Sequence, residues 1–148
     1  MIDYPEITAV KHWLQQTVIA LNLCPFAKRE WLKNRIRFTV THVSTAPKLL
    51  QVLLSELHYL DQNKDTETSL IIHPQVLQQF HDYNDFLDEA DALLVSHDYE
   101  GKYQIASFHP DYQFSGTQVD DAENYTNRSP YPLLHILREE SLENAISS

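Results

Sequence analysis

Apolar residues recur along this chain with two periods, and the period changes several times. Near the N-terminus Ile7, Val10, Leu14, Val18 and Leu21 keep helical spacing. Asp3 stands ahead of them as a cap, Glu6 completes a capping box, and Pro5 suits the first turn. The helix is expected to stop near Asn22, because Pro25 disfavours helical geometry at Cys24. PFAKREWLK then predicts a short second helix opened by Pro25. In RIRFTVTHV the pattern switches to alternation. Ile36, Phe38 and Val40 point one way; Arg35, Arg37, Thr39 and Thr41 point the other. That is a half-buried strand, expected at a sheet edge.

APKLLQVLLSELHYL returns to helical spacing. TSLIIHP is a continuous apolar run closed by Pro74, the pattern of a central strand. PQVLQQFHDYNDFLDEADALLVS carries apolar residues at Leu77, Phe80, Tyr83, Leu87, Ala90 and Leu94, predicting a long helix with a bend near Asp82. YQIASFHP is a third strand, and residues 111–129 show no clear element. A last helix is predicted from Pro130, with Ser129 as its cap and Pro132 tolerated in the first turn. On it Leu134, Leu137, Leu142 and Ala145 share a face, with Arg138 among them. Strands separated by helices imply right-handed crossovers. The expectation is an α/β fold, a single domain over residues 1–148. It has a small, mostly parallel three-stranded sheet with flanking helices, a helix first and a helix last.

Composition narrows the function. A chain of 148 residues, 43% hydrophobic and 22% charged, has the make-up of a soluble globular domain rather than a disordered segment. No apolar run reaches the roughly 18 residues that cross a bilayer, so no membrane partner is expected. The first residues lack a basic start followed by an apolar core, so no export signal is read. Cys24 is the single cysteine, and a reducing cytoplasm is the expected location. A net charge of −10 argues against nucleic acid as partner. Lys28, Arg29, Lys33, Arg35 and Arg37 nevertheless crowd one stretch, which is either a solvated face or a local site for an anion or a protein partner. With only two glycines, neither a phosphate loop nor a dinucleotide fingerprint is present. GxSxG, HExxH and CxxC are also absent. No cofactor is assigned.

Three predicted strands run into histidines, His42, His73 and His109. In a parallel sheet these lie at one edge, where α/β proteins bind ligands. His109 stands out because the unassigned loop starts there. These histidines and Cys24 could form a tetrahedral metal site, but no short chelating pair exists, and no metal is assigned. Cys24 admits two readings. At the start of a helix beside Lys28 and Arg29 it is a stabilised thiolate nucleophile; otherwise it is a small buried residue. Arg128, next to Asn127 and just outside the last helix, offers a bidentate guanidinium to an anion. His135 lies one turn further in, and Arg138 on the buried face needs a carboxylate partner.

The blocks LNLCPFA, DYNDFLDEAD, SFHPDYQF and NYTNRSPYPLLHILREES resemble the bacterial domain-of-unknown-function family DUF1415, from the first helix to Ala145. The resemblance implies no particular reaction. Cys24, His109, Arg128, His135 and Arg138 fall inside those blocks; His42 and His73 do not. The favoured function is a binding or catalytic site for a small anionic metabolite at the carboxyl edge of the sheet. Cys24, His109 and His135 are its catalytic candidates, Asn127, Arg128 and Arg138 its ligand-holding candidates, and residues 111–129 its lid. Whether the protein is an enzyme stays open. The alternative is a non-catalytic protein-interaction module using residues 28–37.

Overall fold

The computed structural model describes residues 4–19 and 35–141. Helix α1 spans Pro5–Trp13 and continues as a π-helical segment, Leu14–Ile19. Tyr4 is its N-cap, without a side-chain capping bond, and Pro5 occupies the first turn. Glu6 does not close a capping box. Its carboxylate meets His42 Nε2 at 3.0 Å, which ties the start of α1 to the chain leaving the first strand. Asp3 and the second predicted helix, with Cys24, lie outside the described residues.

The sheet has four strands, β1 Ile36–Val40, β2 Thr68–Ile72, β3 Tyr103–Phe108 and β4 Leu133–Arg138. Their order is β1-β2-β4-β3. β1 pairs with β2 in parallel, whereas β4 runs antiparallel to both β2 and β3. The α/β class stands, but the sheet is mixed and four-stranded rather than mostly parallel and three-stranded. The segment expected to open a last helix at Pro130 is instead the central strand β4. A short, largely apolar run such as LLHIL looks alike as a helix or as a strand buried on both faces, and the available partners decide. Here β2 and β3 each offer a free edge. Leu134 and Ile136 join the cluster on one face and Leu133 joins the other, which is period two. Pro130 and Pro132 precede the ladder, so no ladder donor is lost, and the Pro132 carbonyl accepts the His73 N–H at 3.0 Å. Residues 139–141 are helical and 142–148 lie outside the described residues.

Helices α2, Ala46–Gln62, and α3, Phe80–Ser96, cover one face of the sheet. Leu49, Leu53, Leu57, Tyr83, Phe86 and Ile71 lie in that core. On the other face α1 places Val10 and Leu14 against Leu70, Ile72 and Leu133. α3 starts at Phe80, not Pro74, because residues 74–79 form a turn in which Leu77 has φ 60°. No helix among the described residues is long and apolar enough to cross a membrane.

One buried carboxylate joins α2 to both parallel strands. Glu56 accepts from Arg37 Nε at 3.0 Å, Thr39 Oγ1 at 3.2 Å and Ser69 Oγ at 2.7 Å. The Arg37 guanidinium also stacks 3.8 Å from the Tyr59 ring centre. Every donor here points at a single acceptor, so Glu56→Ala leaves several buried groups unpaired at once. The substitution should destabilise the protein by about 2 kcal/mol, below the 3–5 typical of a fully buried pair because Arg37 stays partly solvated. Glu56→Gln should cost roughly half of that, since its carbonyl oxygen still accepts. Urea unfolding of the two variants against the parent measures both, and equal losses would contradict this role for the charge.

Candidate functional site

β1, β2 and β3 share one direction and β4 opposes it. One edge of the sheet therefore gathers the ends of three strands and the start of the fourth. His42, His73 and His109 do arrive there together, as do Ser129–Pro132 and the first turn of α3.

The histidines face different surroundings. His42 is exposed and bonded to Glu6. His73 and His109 are fully buried on the α3 side, around the ring of Tyr83. His73 stacks on Tyr83 at 5.9 Å, and His109 lies 5.0 Å from it. His73 Nδ1 donates to the Val76 carbonyl at 3.1 Å, and Nε2, left as the lone-pair nitrogen, has no partner among the described residues. His109 Nε2 donates to the Leu77 carbonyl at 3.0 Å, while its Nδ1 accepts the Asp111 N–H at 3.0 Å. A carbonyl only accepts and an amide only donates, so His109 is neutral with its proton on Nε2. Burial lowers the His73 pKa to about 4 and lowers that of His109 as well. The two rings thus hold the carbonyls on either side of the left-handed Leu77, a strained conformation for a branched apolar residue. The Tyr83 hydroxyl donates to the Leu133 carbonyl at 2.7 Å and accepts the Phe108 N–H at 3.0 Å, stitching β4 to β3.

Residues 111–129 are organised from within rather than open. The buried Asn124 accepts from the Phe114 N–H at 2.8 Å and donates to the Gln118 carbonyl at 2.8 Å. A 3₁₀ helix, Ala122–Asn127, closes the segment. Asn127 clips it to the sheet, donating to the Ser107 carbonyl at 3.0 Å and accepting the His109 N–H on its own carbonyl at 3.1 Å. Arg128 donates through Nε to the Tyr112 carbonyl at 2.9 Å and through Nη2 to the Val119 carbonyl at 2.6 Å. Its guanidinium lies 4.7 Å from the Tyr125 ring centre, and Nη1 has no partner among the described residues.

A groove of about 1060 Å³ opens between this segment and α1. Pro5, Thr8, Ala9, His12 and Trp13 form its helical wall. Pro110, Tyr125, Arg128, Ser129 and Pro130 form the other. Trp13 rests edge-on against Phe108 at 5.3 Å, and its buried indole N–H has no acceptor among the described residues. The Ser129 hydroxyl is spent on the Tyr131 carbonyl at 2.6 Å.

The remaining sequence candidates are dispersed. His135 sits on the opposite face of the sheet from His109, 6.3 Å from the Phe108 ring, with Nε2 2.9 Å from Thr68 Oγ1. Burial brings its pKa down to about 4. Arg138 lies at the far end of β4. Its partners are carbonyls rather than a carboxylate: Nη2 donates to Leu60 and to Thr66, each at 2.7 Å, at the C-terminal end of α2. A cation there meets the negative end of the helix dipole. Arg138 Nη1 reaches the Tyr103 hydroxyl at 3.3 Å, which itself donates to Asp61 at 3.2 Å. From the basic stretch, Arg35 is bonded to Glu67 at 2.8 Å and Arg37 to Glu56; Lys28, Arg29 and Lys33 lie outside the described residues. No three His, Cys, Asp or Glu side chains among the described residues are grouped to hold a metal ion. Reading the sequence for reactive residues overlooked Trp13, Tyr83 and His73's burial. The groove wall did leave a signal: Pro5, Thr8, Ala9, His12 and Trp13 follow i, i+3, i+4, i+7, i+8, a second stripe beside the core stripe of α1.

The fold and its strand-edge groove define a mixed-sheet α/β protein with a candidate ligand site. The chain belongs to the family described as Protein of unknown function (DUF1415), whose model matches residues 6–148. No curated protein and no solved structure matches it.

The buried histidines give a pH dependence with a definite sign. In the unfolded chain a histidine titrates near 6.5, so between that pH and about 4 the unfolded state takes a proton that His73 refuses. Stability should be complete above pH 6.5 and fall as the pH drops towards 4, by up to about 3 kcal/mol from His73 alone. His109 and His135 act in the same direction. Urea midpoints measured across this range check it; a flat profile would mean that His73 is hydrated in the fold.

Proposed function

We propose that this protein binds a small amphipathic molecule in the groove between α1 and residues 109–130. One observation carries the reading. An apolar concavity of about 1060 Å³ at the carboxyl edge of the parallel strands includes Arg128, whose Nη1 has no partner among the described residues. Small-molecule sites are concave and largely apolar, with a few convergent polar groups, and in open α/β sheets they lie outside the carboxyl ends of strands. His109 enters as a positioning residue, because both ring nitrogens are engaged and its neighbours Pro110 and Asn127 lead into the groove wall. Binding, rather than a reaction, is what these groups support. The single cysteine and the charge of −10 favour a reducing cytoplasm without a nucleic-acid partner, and the family resemblance favours a bacterial one.

Anilinonaphthalene sulfonate, an apolar aromatic anion that brightens when desolvated, serves as the probe. It should bind the native protein saturably. Thr8 is exposed on the groove wall, so Thr8→Trp should fill the groove from the helix without disturbing the core. Probe affinity should then drop by about tenfold or more, equivalent to about 1.4 kcal/mol. The same substitution at exposed Asp88 of α3 should leave affinity unchanged. Equal binding by the parent and Thr8→Trp would rule out the groove.

A further inference from the structure

The wall of the groove is unbalanced in its hydrogen bonding. Among the described residues Arg128 Nη1 at this wall and the buried Trp13 Nε1 have no partner, and both are donors; the Thr8 and Tyr125 hydroxyls and the His12 imidazole add further polar groups to the wall. Three of its residues, Pro5, Pro110 and Pro130, have no backbone N–H. That combination discriminates among anions. Phosphate is normally cradled by several backbone amides at a glycine-rich turn or helix start, and these prolines withhold such donors. A single guanidinium nitrogen suits a group carrying a single charge. Prolines, Ala9 and aromatic rings make most of the wall apolar, Tyr125 within it stands 55% exposed, and Val119, 63% exposed, extends the apolar surface outwards.

We propose that the ligand is an apolar carboxylic acid, its carboxylate held by Arg128 and its hydrocarbon body laid along the proline-bearing wall. This rests on the groove being a ligand site and specifies what that site selects. Arg128 is suited to the task because its other donors are fixed on the Tyr112 and Val119 carbonyls. The guanidinium is therefore oriented before the ligand arrives, which reduces the ordering cost of binding. The face of Tyr125 shields one side of the ion pair from water.

The test uses Trp13 as the reporter, in the full chain carrying Trp31→Phe, so that one indole remains. Its fluorescence is titrated with decanoate, decanol and decyl phosphate, which share a chain and differ in the head group. Decanoate should bind about tenfold or more tightly than decanol, as expected for one charge-assisted hydrogen bond. It should also bind more tightly than decyl phosphate. In Arg128→Gln the advantage over decanol should vanish while the affinity for decanol itself is kept. Decanol is thus the control for a loosened loop. A second measurement needs no variant: by NMR of carbonyl-labelled decanoate, the bound carboxyl should ionise at lower pH than the free acid. Equal affinity for decanoate and decanol, or an unshifted bound carboxyl, overturns the carboxylate reading and leaves the groove standing. Tighter binding of decyl phosphate overturns it in favour of phosphate. If no chain binds, the groove itself is wrong, and this inference falls with it.

Discussion

β4 is bonded to both neighbours, and its antiparallel direction brings its first residues, not its last, to the edge where β1, β2 and β3 end. Turned the other way, the chain from Arg128 to Pro132 would leave from the opposite end of the sheet, beside Asp61 and Lys102. The groove would lose one wall. The Tyr83 hydroxyl fixes this arrangement from above. It holds the Leu133 carbonyl and the Phe108 N–H, the last backbone groups of β4 and β3 before the two chains diverge. A phenol that both donates and accepts is the only side-chain type of that size able to join a carbonyl and an amide with one atom. Burial raises its pKa, so it keeps the proton that the bridge requires.

The same edge accumulates groups that cost free energy. Leu77 adopts a left-handed backbone, His73 keeps an unpartnered buried nitrogen, and two imidazoles are held neutral. Each is offset by a partner arriving from elsewhere in the chain. The Leu77 carbonyl is bonded by His109 across 32 positions, and the His73 backbone N–H by Pro132. The strained turn between β2 and α3 therefore depends on β3 and β4 being in place. A turn maintained by distant strands stiffens with them, and the residues following those strands, Pro110 and Ser129, inherit that stiffness as walls of the groove.

Patterns confined to one element were legible in the sequence. The alternation Ile36, Phe38, Val40 against Arg37 and Thr39 corresponds to the two faces of β1, and TSLII is buried throughout. The coincidence of three strand-end histidines followed from those patterns, since strands sharing a direction must end together. What depended on partners was not legible. LLHIL carries no local mark distinguishing a doubly buried strand from a helix, and the vacant edges of β2 and β3 that claim it belong to residues far away in the chain. Burial of His73 and His109 behind Tyr83 likewise follows from the start of α3 at Phe80, which Leu77's backbone sets and its side chain does not announce. Cys24 lies outside the described residues, so the thiolate reading gains nothing from this geometry.

Two arginines near the ends of β4 show why location outweighs residue type. Both spend guanidinium donors on backbone carbonyls, a use that ties down the loops carrying those carbonyls. Arg138 caps the end of α2, where the helix dipole already favours a cation, and its remaining terminal nitrogen is met by Tyr103. Both terminal nitrogens are thus engaged by the fold, and only the buried Nε has no partner among the described residues. Arg128 orders its loop with two donors, but it also lines a groove of prolines and aromatic rings, and no protein acceptor among the described residues reaches its third nitrogen. A fold that needed only a loop staple would gain as much from an amide side chain at lower desolvation cost. A guanidinium oriented by two carbonyls at the wall of an apolar groove, with a terminal nitrogen left over, is better matched to an acceptor supplied from outside the chain.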